Sequence, residues 1–529
     1  MTDSLDPSRA GSALPFHRFD LGSTETHEAI EQLAEAFALE QDAERRGTAT
    51  YFETFDWRLF RAGVTLSTEG TGRETHWILR SLDGRVLEIR RHPKTPGLAD
   101  SLPGGAFEEL ASAMSMRRLL PLAIVDRSTT ALRLLDDERK TVVRLWIEQD
   151  RVRRPGEDAA SSSETPPPTL RLQGVRGYDG SLAKATKFLT RTLGLAPHTG
   201  DGLSHIAAAV GRAPGDYSSK PVLELDPQQT AGEATRRILQ QLVATIETNE
   251  DGTRRDLDSE FLHDFRVAVR RTRSALSQVK GIFDPETLEP FRLELKWLGG
   301  LTGPTRDLDV YLLKFGNYEA ALPESVRDDL RPLHRFLVAE QRREQRRLAR
   351  TLASPRYRQL LGGWRAFLAD PANANATNAG RPVIEVASER IWKVYRRIVK
   401  RGRKAVEHQS PAEEIHDLRI ECKKLRYLLE FFRSLYDSSV GQSIKDLKRL
   451  QDNLGDFNDY EVQRLTLSRF ADKLFGAGKT PVETFLAMGR LQAHLEAGQD
   501  EERLRFATCF AQFTTDEKRA RFRDLFAPR

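Results

Sequence analysis

The period of hydrophobic and polar positions changes once along this chain. From about Leu14 to about Gly200, short apolar runs alternate with polar turns, in TYFETFDWRLFRAGVTLS, THWILRSLDGRVLEIRRH, TALRLLDD, TVVRLWIEQDRV and TLRLQGVRG. Short runs bounded by turn residues predict antiparallel strands. Asp83-Gly84 in SLDGRV supplies a hairpin turn, and helical spacing predicts helices around Glu25–Glu40 and Leu182–Leu193. GEDAASSSETPPP (Gly156–Pro168) reads as a polar loop, and GRAPGDYSSKP near residues 211–221 as a linker. Beyond about Pro227 the strand signals stop and long charged segments of helical period run to the C-terminus. The fold class expected is therefore α+β multidomain: a strand-rich domain over residues 10–200, a linker over 201–225 and an all-α domain over 226–525.

Within the helical part, ADPANANATNAGRP (Ala369–Pro382) separates two portions of similar length, over 226–368 and 383–525. FLHDFRVAVRRTRSAL begins at Phe261 and EIHDLRIECKKLRYLL at Glu414. With the two His-Asp pairs in register, Arg266 matches Arg419, Arg270 matches Lys423, Arg271 matches Lys424 and Arg273 matches Arg426. Upstream, Arg237 and Arg390 each stand 26 residues before their histidine. Downstream, LKWLGGLTGPTRDLDV and LKRLQDNLGDFNDYEV align with a one-residue shift, pairing Lys296 with Lys448 and Asp307 with Asp459. An internal repeat explains this better than chance, and two pseudo-symmetric helical-bundle repeats are expected.

Advancing about 100° per residue, His263, Arg266, Arg270 and Arg273 fall in a sector of roughly 80°. Phe265, Val269, Thr272, Leu276, Val279 and Phe283 lie opposite, on the face such a helix buries. The second copy divides alike, with His416, Arg419, Lys423 and Arg426 against Leu418, Cys422, Leu425, Leu429 and Phe432. Ser410, Pro411 and Glu413 read as the N-cap, first position and capping-box acid of that helix. Each stripe holds three cations and a histidine with no acid inside it, and like charges at this spacing repel, so a compensating anion is implied. Arg offers a planar fork, Lys a compact charge and His a titratable donor, a set suited to phosphates. Facing stripes would form one basic channel for a linear polyanion. Asp307 and Asp459 are expected to orient neighbouring cations more than to bind a metal. The Arg342, Arg343, Arg346, Arg347 and Arg350 cluster either widens the basic surface or is a solvated helix face.

Charge and composition sharpen this. The 529 residues carry 82 basic and 77 acidic side chains, a net charge of only +5, so placement and not bulk charge must attract an anion. A hydrophobic share of 39% with 30% charged residues is that of a globular protein with ample core. No apolar run approaches the length of a membrane span and the N-terminus lacks a signal-peptide pattern, so no membrane association and a cytoplasmic location are expected. Two cysteines, Cys422 and Cys509, are too few for a disulfide framework or a Cys-based zinc site, and no metal or cofactor is expected.

The two His-x-x-Arg stretches with their basic residues resemble the signature of the CHAD domain, the conserved histidine α-helical domain, over about residues 226–520. The resemblance implies binding of inorganic polyphosphate, often with association to polyphosphate granules. Carried over residue by residue, it points to Arg237, His263, Arg266, Arg270, Arg273 and Lys296, then to Arg390, His416, Arg419, Lys423, Arg426 and Lys448. The N-terminal region resembles a CYTH domain, an antiparallel β tunnel or barrel, in YFETFDWRLFRAGVTLS. Where that family starts with Glu-x-Glu-x-Lys, this chain has LPFHRFDLG with Asp20 as its only acid, and TLSTEGTG puts Ser67 and Glu69 where paired arginines belong. Arg80, Glu88, Arg90 and Arg91 read as ordinary strand faces or a weak phosphate surface. The tunnel domain is thus expected to be degenerate and non-catalytic, since a triphosphatase needs carboxylates for metal and many cations for triphosphate. The leading expectation is non-catalytic polyphosphate binding. The alternatives are a metal-dependent triphosphatase or polyphosphatase of the CYTH type, and nucleic-acid binding, against which stands the lack of aromatics interleaved in the stripes.

Overall fold

The structure is a computed structural model that describes residues 17–22, 24–70, 75–92, 95–157, 164–198, 200–220, 223–407 and 410–528. The first residues of the LPFHRFDLG segment, the end of TLSTEGTG and the middle of the 156–168 loop lie outside that set. The chain divides into two compact units, Met1–Ser218 and Ser219–Arg529.

The first unit runs β1 (His17–Asp20), α1 (Thr26–Ala36), β2 (Leu39–Gln41), β3 (Arg45–Thr54), α2 (Arg58–Arg61), β4 (Val64–Glu69), β5 (His76–Ser81) and β6 (Val86–Arg91). It continues with α3 (Ala106–Met114), β7 (Leu119–Leu135), β8 (Thr141–Arg153), β9 (Thr169–Gly174), α4 (Asp179–Arg191), β10 (Ala196–Pro197) and α5 (Ser204–Ala209). The strands make one antiparallel sheet in the order β10-β1-β9-β8-β7-β3-β4-β5-β6, with β2 paired to β7. Alternate residues of β7, β8 and β9, among them Leu132, Leu145, Leu170 and Leu172, pack against Ala29 and Leu33 of α1 and Ala185 and Leu189 of α4. Gly84 takes φ +86° at the β5–β6 hairpin, a conformation that suits glycine.

TYFETFDWRLFRAGVTLS is not a single strand, because a buried carboxylate interrupts it. Glu53 Oε1 and Oε2 accept the backbone N–H groups of Leu59 and Phe60, at 2.9 and 2.8 Å, so the chain turns through α2 between β3 and β4. Burial pushes the Glu53 carboxyl up to about 7, against the pull of the N–H groups of Leu59, Thr54 and Phe60.

The second unit is helical: α6 (Ala231–Arg254), α7 (Ser259–Gln278), α8 (Pro285–Leu301), α9 (Gly303–Leu313), α10 (Phe315–Ala320), α11 (Glu324–Arg327), α12 (Arg331–Leu352) and α13 (Pro355–Ala369). Then follow α14 (Val383–Glu407), α15 (Ala412–Phe431), α16 (Ser439–Gly476), α17 (Val482–Phe513) and α18 (Asp516–Phe526). Among the described residues no helix is long and apolar enough to cross a membrane. Phe265, Val269 and Thr272 of α7 and Leu418, Cys422, Leu425 and Leu429 of α15 are at most 1% exposed, so both helices bury the faces their periodicity assigned. Asp258 caps α7 by accepting from Glu260 and Phe261 N–H. The capping box expected at Ser410 is not formed. The helix begins later, at Ala412, and the Ser410 hydroxyl donates instead to Glu414 Oε2 at 2.6 Å while its carbonyl accepts from Arg503. The span that is one 38-residue helix in α16 is two helices in α8 and α9, parted at Thr302, Gly303 and Pro304.

Gly402 lets α14 and α17 approach closely, since an added Cβ would overlap the Phe510 ring. Gly402→Ala is expected to lower the urea midpoint, by about 1–2 kcal/mol of stability, as overpacking outweighs the gain in helix propensity. An unchanged or raised midpoint would contradict that contact.

Candidate anion-binding site

The basic stripes of α7 and α15 converge. Arg270 and Arg273 from α7, Arg292 and Lys296 from α8, and Arg419, Lys423 and Lys424 from α15 line a cleft of about 640 Å³, with Glu289 as its only lining carboxylate. Ser274, Ser277, Leu276, Leu293, Ile420 and Tyr427 complete the wall. Arg270 is held across the cleft by its Nε, which donates to the Tyr427 hydroxyl at 2.8 Å.

Beneath this wall a bonded layer fixes the two helices. Arg271, 3% exposed, reaches Glu430 at 2.6 Å and donates to the Ser219 carbonyl, and its guanidinium lies 5.5 Å from the Tyr427 ring centre. Arg426 meets the same Glu430 at 3.4 Å and lies 5.6 Å from the same ring. Lys424 pairs with Glu421 at 2.7 Å, which also takes Arg397 of α14 at 2.9 Å. Glu421 is thus the counter-ion of Lys424 beside the stripe, while Glu430 takes both Arg271 beside the stripe and Arg426 within it.

The twelve residues predicted as one channel do not all meet in this cleft. It gathers Arg270, Arg273, Lys296, Arg419 and Lys423. Arg266 is part-buried at the α8–α9 break, where its Nη1 donates to Gly299 O at 3.4 Å and Thr302 Oγ1 at 3.3 Å. Arg426 is taken by Glu430, and Arg237 is tied to Gln229 and the Glu224 carbonyl at 3.2 and 3.3 Å. His416 Nδ1 bonds Asn458 Oδ1 on α16. His263 is half-buried near the start of α7, and Arg390 sits on α14 beside Glu389. Lys448 is exposed on α16, away from the cleft that its counterpart Lys296 lines.

The stripes also find acids from other helices, which a single-helix projection cannot show. Asp459 of α16 accepts from Arg419 at 3.4 Å and lies 3.8 Å from Lys314. Asp307 of α9 is the main attraction felt by Arg266. Burial raises the Asp307 carboxyl, with Asp459 adding to the effect and Arg266 and Arg306 opposing it. Both aspartates therefore sit where they steer arginines, and among the described residues no group of three His, Cys, Asp or Glu side chains is placed to hold a metal. Asp417, beside His416, points to Arg401 of α14 at 3.6 Å. Arg343 and Arg347 on α12 meet Glu340 and Glu344 at 3.0 and 3.5 Å, the mixed-sign pattern of a solvated face.

Electrostatics single out Lys423. Burial, then Arg419 and Arg270, push its ammonium down to about 7, against the weaker pull of Asp459. Burial also lowers Arg419, with Arg270 adding to the effect, but a guanidinium keeps its proton. Like charge crowded at one cleft is costly unless an anion joins it.

A second polar cluster lies on the sheet of the first unit. Arg127 grips Asp150 through two bonds of 2.6 and 2.7 Å, and Arg171 meets Glu148 at 2.6 Å. Burial acts to raise the Glu148 carboxyl, but Arg127, Arg171, Arg18 and Arg80 outweigh it and hold the carboxyl low. Arg80 therefore belongs to this cluster, bonded to Ser67 at 2.8 Å and Glu69 at 3.3 Å, and is no ordinary strand-face residue. Glu88 takes Arg90 and the Ala106 N–H at the start of α3.

The second unit is thus a helical bundle in which cations of α7, α8 and α15 line one cleft. Residues 237–468, within the helical unit, match the family model of the CHAD domain. No curated protein matches the chain. Among solved structures, the CHAD domain from the plant Ricinus communis is 26% identical, with 56% of this chain and 95% of that one covered and a TM-score of 0.48. PptA from Streptomyces chartreusis is 16% identical, with 53% and 99% covered and a TM-score of 0.40.

Proposed function

We propose that the helical unit binds inorganic polyphosphate, with Arg270, Arg273, Lys296, Arg419 and Lys423 as the gripping residues and Arg292 and Lys424 beside them. One observation carries this reading: seven cations from three helices face one cleft against a single carboxylate. Arginine forks and lysine charges match a chain of phosphoryl oxygens, and Lys423 gains its proton back when anionic charge enters. Ser274 and Ser277 add hydroxyls on the same wall. Tyr427 is the only aromatic there, and its hydroxyl is engaged by Arg270, so the wall gives successive bases little to stack on. Association with polyphosphate granules would follow from such binding. The first unit is read as a degenerate CYTH-like scaffold in which Glu148 and Asp150 already occupy Arg127 and Arg171.

Competition at matched salt tests the reading. Long-chain polyphosphate should displace labelled single-stranded DNA and single-stranded RNA from the full chain at concentrations at least tenfold below those at which either displaces polyphosphate. Tighter nucleic-acid binding would reject polyphosphate as the ligand.

A further inference from the structure

A second groove, sharing no lining residue with the first, runs between α14 and α18. Arg396, Lys400 and Arg403 follow each other at helical spacing on α14, and Arg519 and Arg523 do so on α18. The groove measures about 730 Å³, the size of a compact ligand's pocket, and Asp516 is its only lining acid. Asp516 is fully exposed and stands 3.8 Å from Arg519, a weak ion pair that leaves the cationic surplus in place.

The floor of the groove contains Tyr395. This residue is 3% exposed, and its ring is stacked on Phe522 at 4.0 Å and on Trp392 at 5.7 Å. Its hydroxyl is buried and has no hydrogen-bond partner among the described residues, and neither has the buried Nε of Arg519. An orphaned buried hydroxyl costs free energy, so its retention beside an arginine needs a reason. Trp392, half-buried, and Val399 supply apolar surface next to the cations.

We propose that the α14–α18 groove is a second anion site, for a nucleoside triphosphate. The phosphates would lie on Arg396, Lys400, Arg519 and Arg523, the Tyr395 hydroxyl would donate to one of their oxygens, and the planar base would rest against Trp392. Trp392 among the lining cations suits an anion that carries one ring.

The test is calorimetric titration of the full chain with ATP and, separately, with inorganic triphosphate. Arg519→Gln with Arg523→Gln should weaken ATP binding at least tenfold. Tyr395→Phe keeps the ring stack, so it should raise the melting temperature of the free protein while weakening ATP about fivefold to tenfold. Trp392→Leu should weaken ATP about tenfold and leave triphosphate unchanged. Arg270→Gln with Arg419→Gln, in the other cleft, should leave ATP binding intact. ATP affinity that is unmoved by the groove variants, or lost only in the α7–α15 cleft variant, overturns the site. Equal loss of ATP and triphosphate in Trp392→Leu overturns the nucleoside assignment.

Discussion

Arg270→Gln combined with Arg419→Gln should lower the proposed affinity for long-chain polyphosphate about a hundredfold near physiological salt while leaving the circular dichroism spectrum unchanged. Each contact of a guanidinium with a phosphoryl oxygen contributes about 1.5–3 kcal/mol, so two removed together account for that factor at the lower bound. Neither side chain supports the core: Arg270 bonds only a tyrosine hydroxyl at the cleft wall, and Asp459, the partner of Arg419, is 43% exposed and can be hydrated. The salt dependence should flatten as well. If a polyphosphate chain releases counterions like a single-stranded nucleic acid, the slope of log K against log salt drops by about 0.7 for each lost contact. Arg266→Ala should behave differently, because Arg266 bonds Gly299 and Thr302 at the α8–α9 break, and its loss should reduce stability more than affinity. Unchanged polyphosphate binding in the double variant with an intact fold would remove the cleft as the site.

Lys423→Met should stabilise the free protein and weaken its binding, two opposite changes from one substitution. The Lys423 ammonium titrates near 7 in the fold and near 10.5 when unfolded. Between those values the unfolded chain holds the extra proton, so stability rises with pH across the window and is lowest below pH 7. Removing the lysine relieves the buried charge and should stabilise by about 1 kcal/mol at neutral pH, as apolar replacement of buried ions often does. Binding runs the other way. Polyphosphate favours protonated Lys423, so wild-type affinity should fall as pH rises above 7, by up to about tenfold per unit if one proton is taken up. In Lys423→Met this part of the pH dependence should vanish. Denaturant melts and affinities measured from pH 6.5 to 9 check both, and a destabilised variant or an unchanged pH slope would refute the assignment.

The α7 and α15 faces were legible because a 3.6 period separated apolar from cationic residues cleanly in both copies. Projected from His416 at about 100° per residue, Tyr427 falls about 20° outside the stripe on the histidine side, as Ser274 does from His263. What a helical wheel cannot supply is the contribution of other helices. Asp459 and Asp307 reach their arginines through tertiary packing, whereas Glu430 meets Arg426 at i,i+4 on α15 itself, and the different fates of Lys296 and Lys448 depend on which helix walls the cleft. In the sheet, Glu148 and Asp150 share one face of β8, and that face carries Arg127 and Arg171 from the neighbouring strands, a pairing set by register that no single strand shows. The helix α2 was hidden because its Arg58 N–H is accepted by Thr54 and those of Leu59 and Phe60 by Glu53, six residues upstream of Leu59 and outside any local capping pattern.

The break at Gly303 and Pro304 makes the two halves of the helical unit mechanically unlike. As an uninterrupted helix of 38 residues, α16 is about 57 Å long and can carry a displacement from one end to the other as a single lever. The α8–α9 pair is weaker at the corresponding place, because Pro304 lacks an N–H and the helical bonds made by Thr302 are long, at 3.4 Å. Arg266 is bonded to Gly299 and Thr302 at the end of α8, and Arg292 and Lys296 ride on the same helix. If the cleft binds a chain as proposed, adjustment to its curvature would be cheapest on the α8 side, while α15, packed along α16, would stay in place.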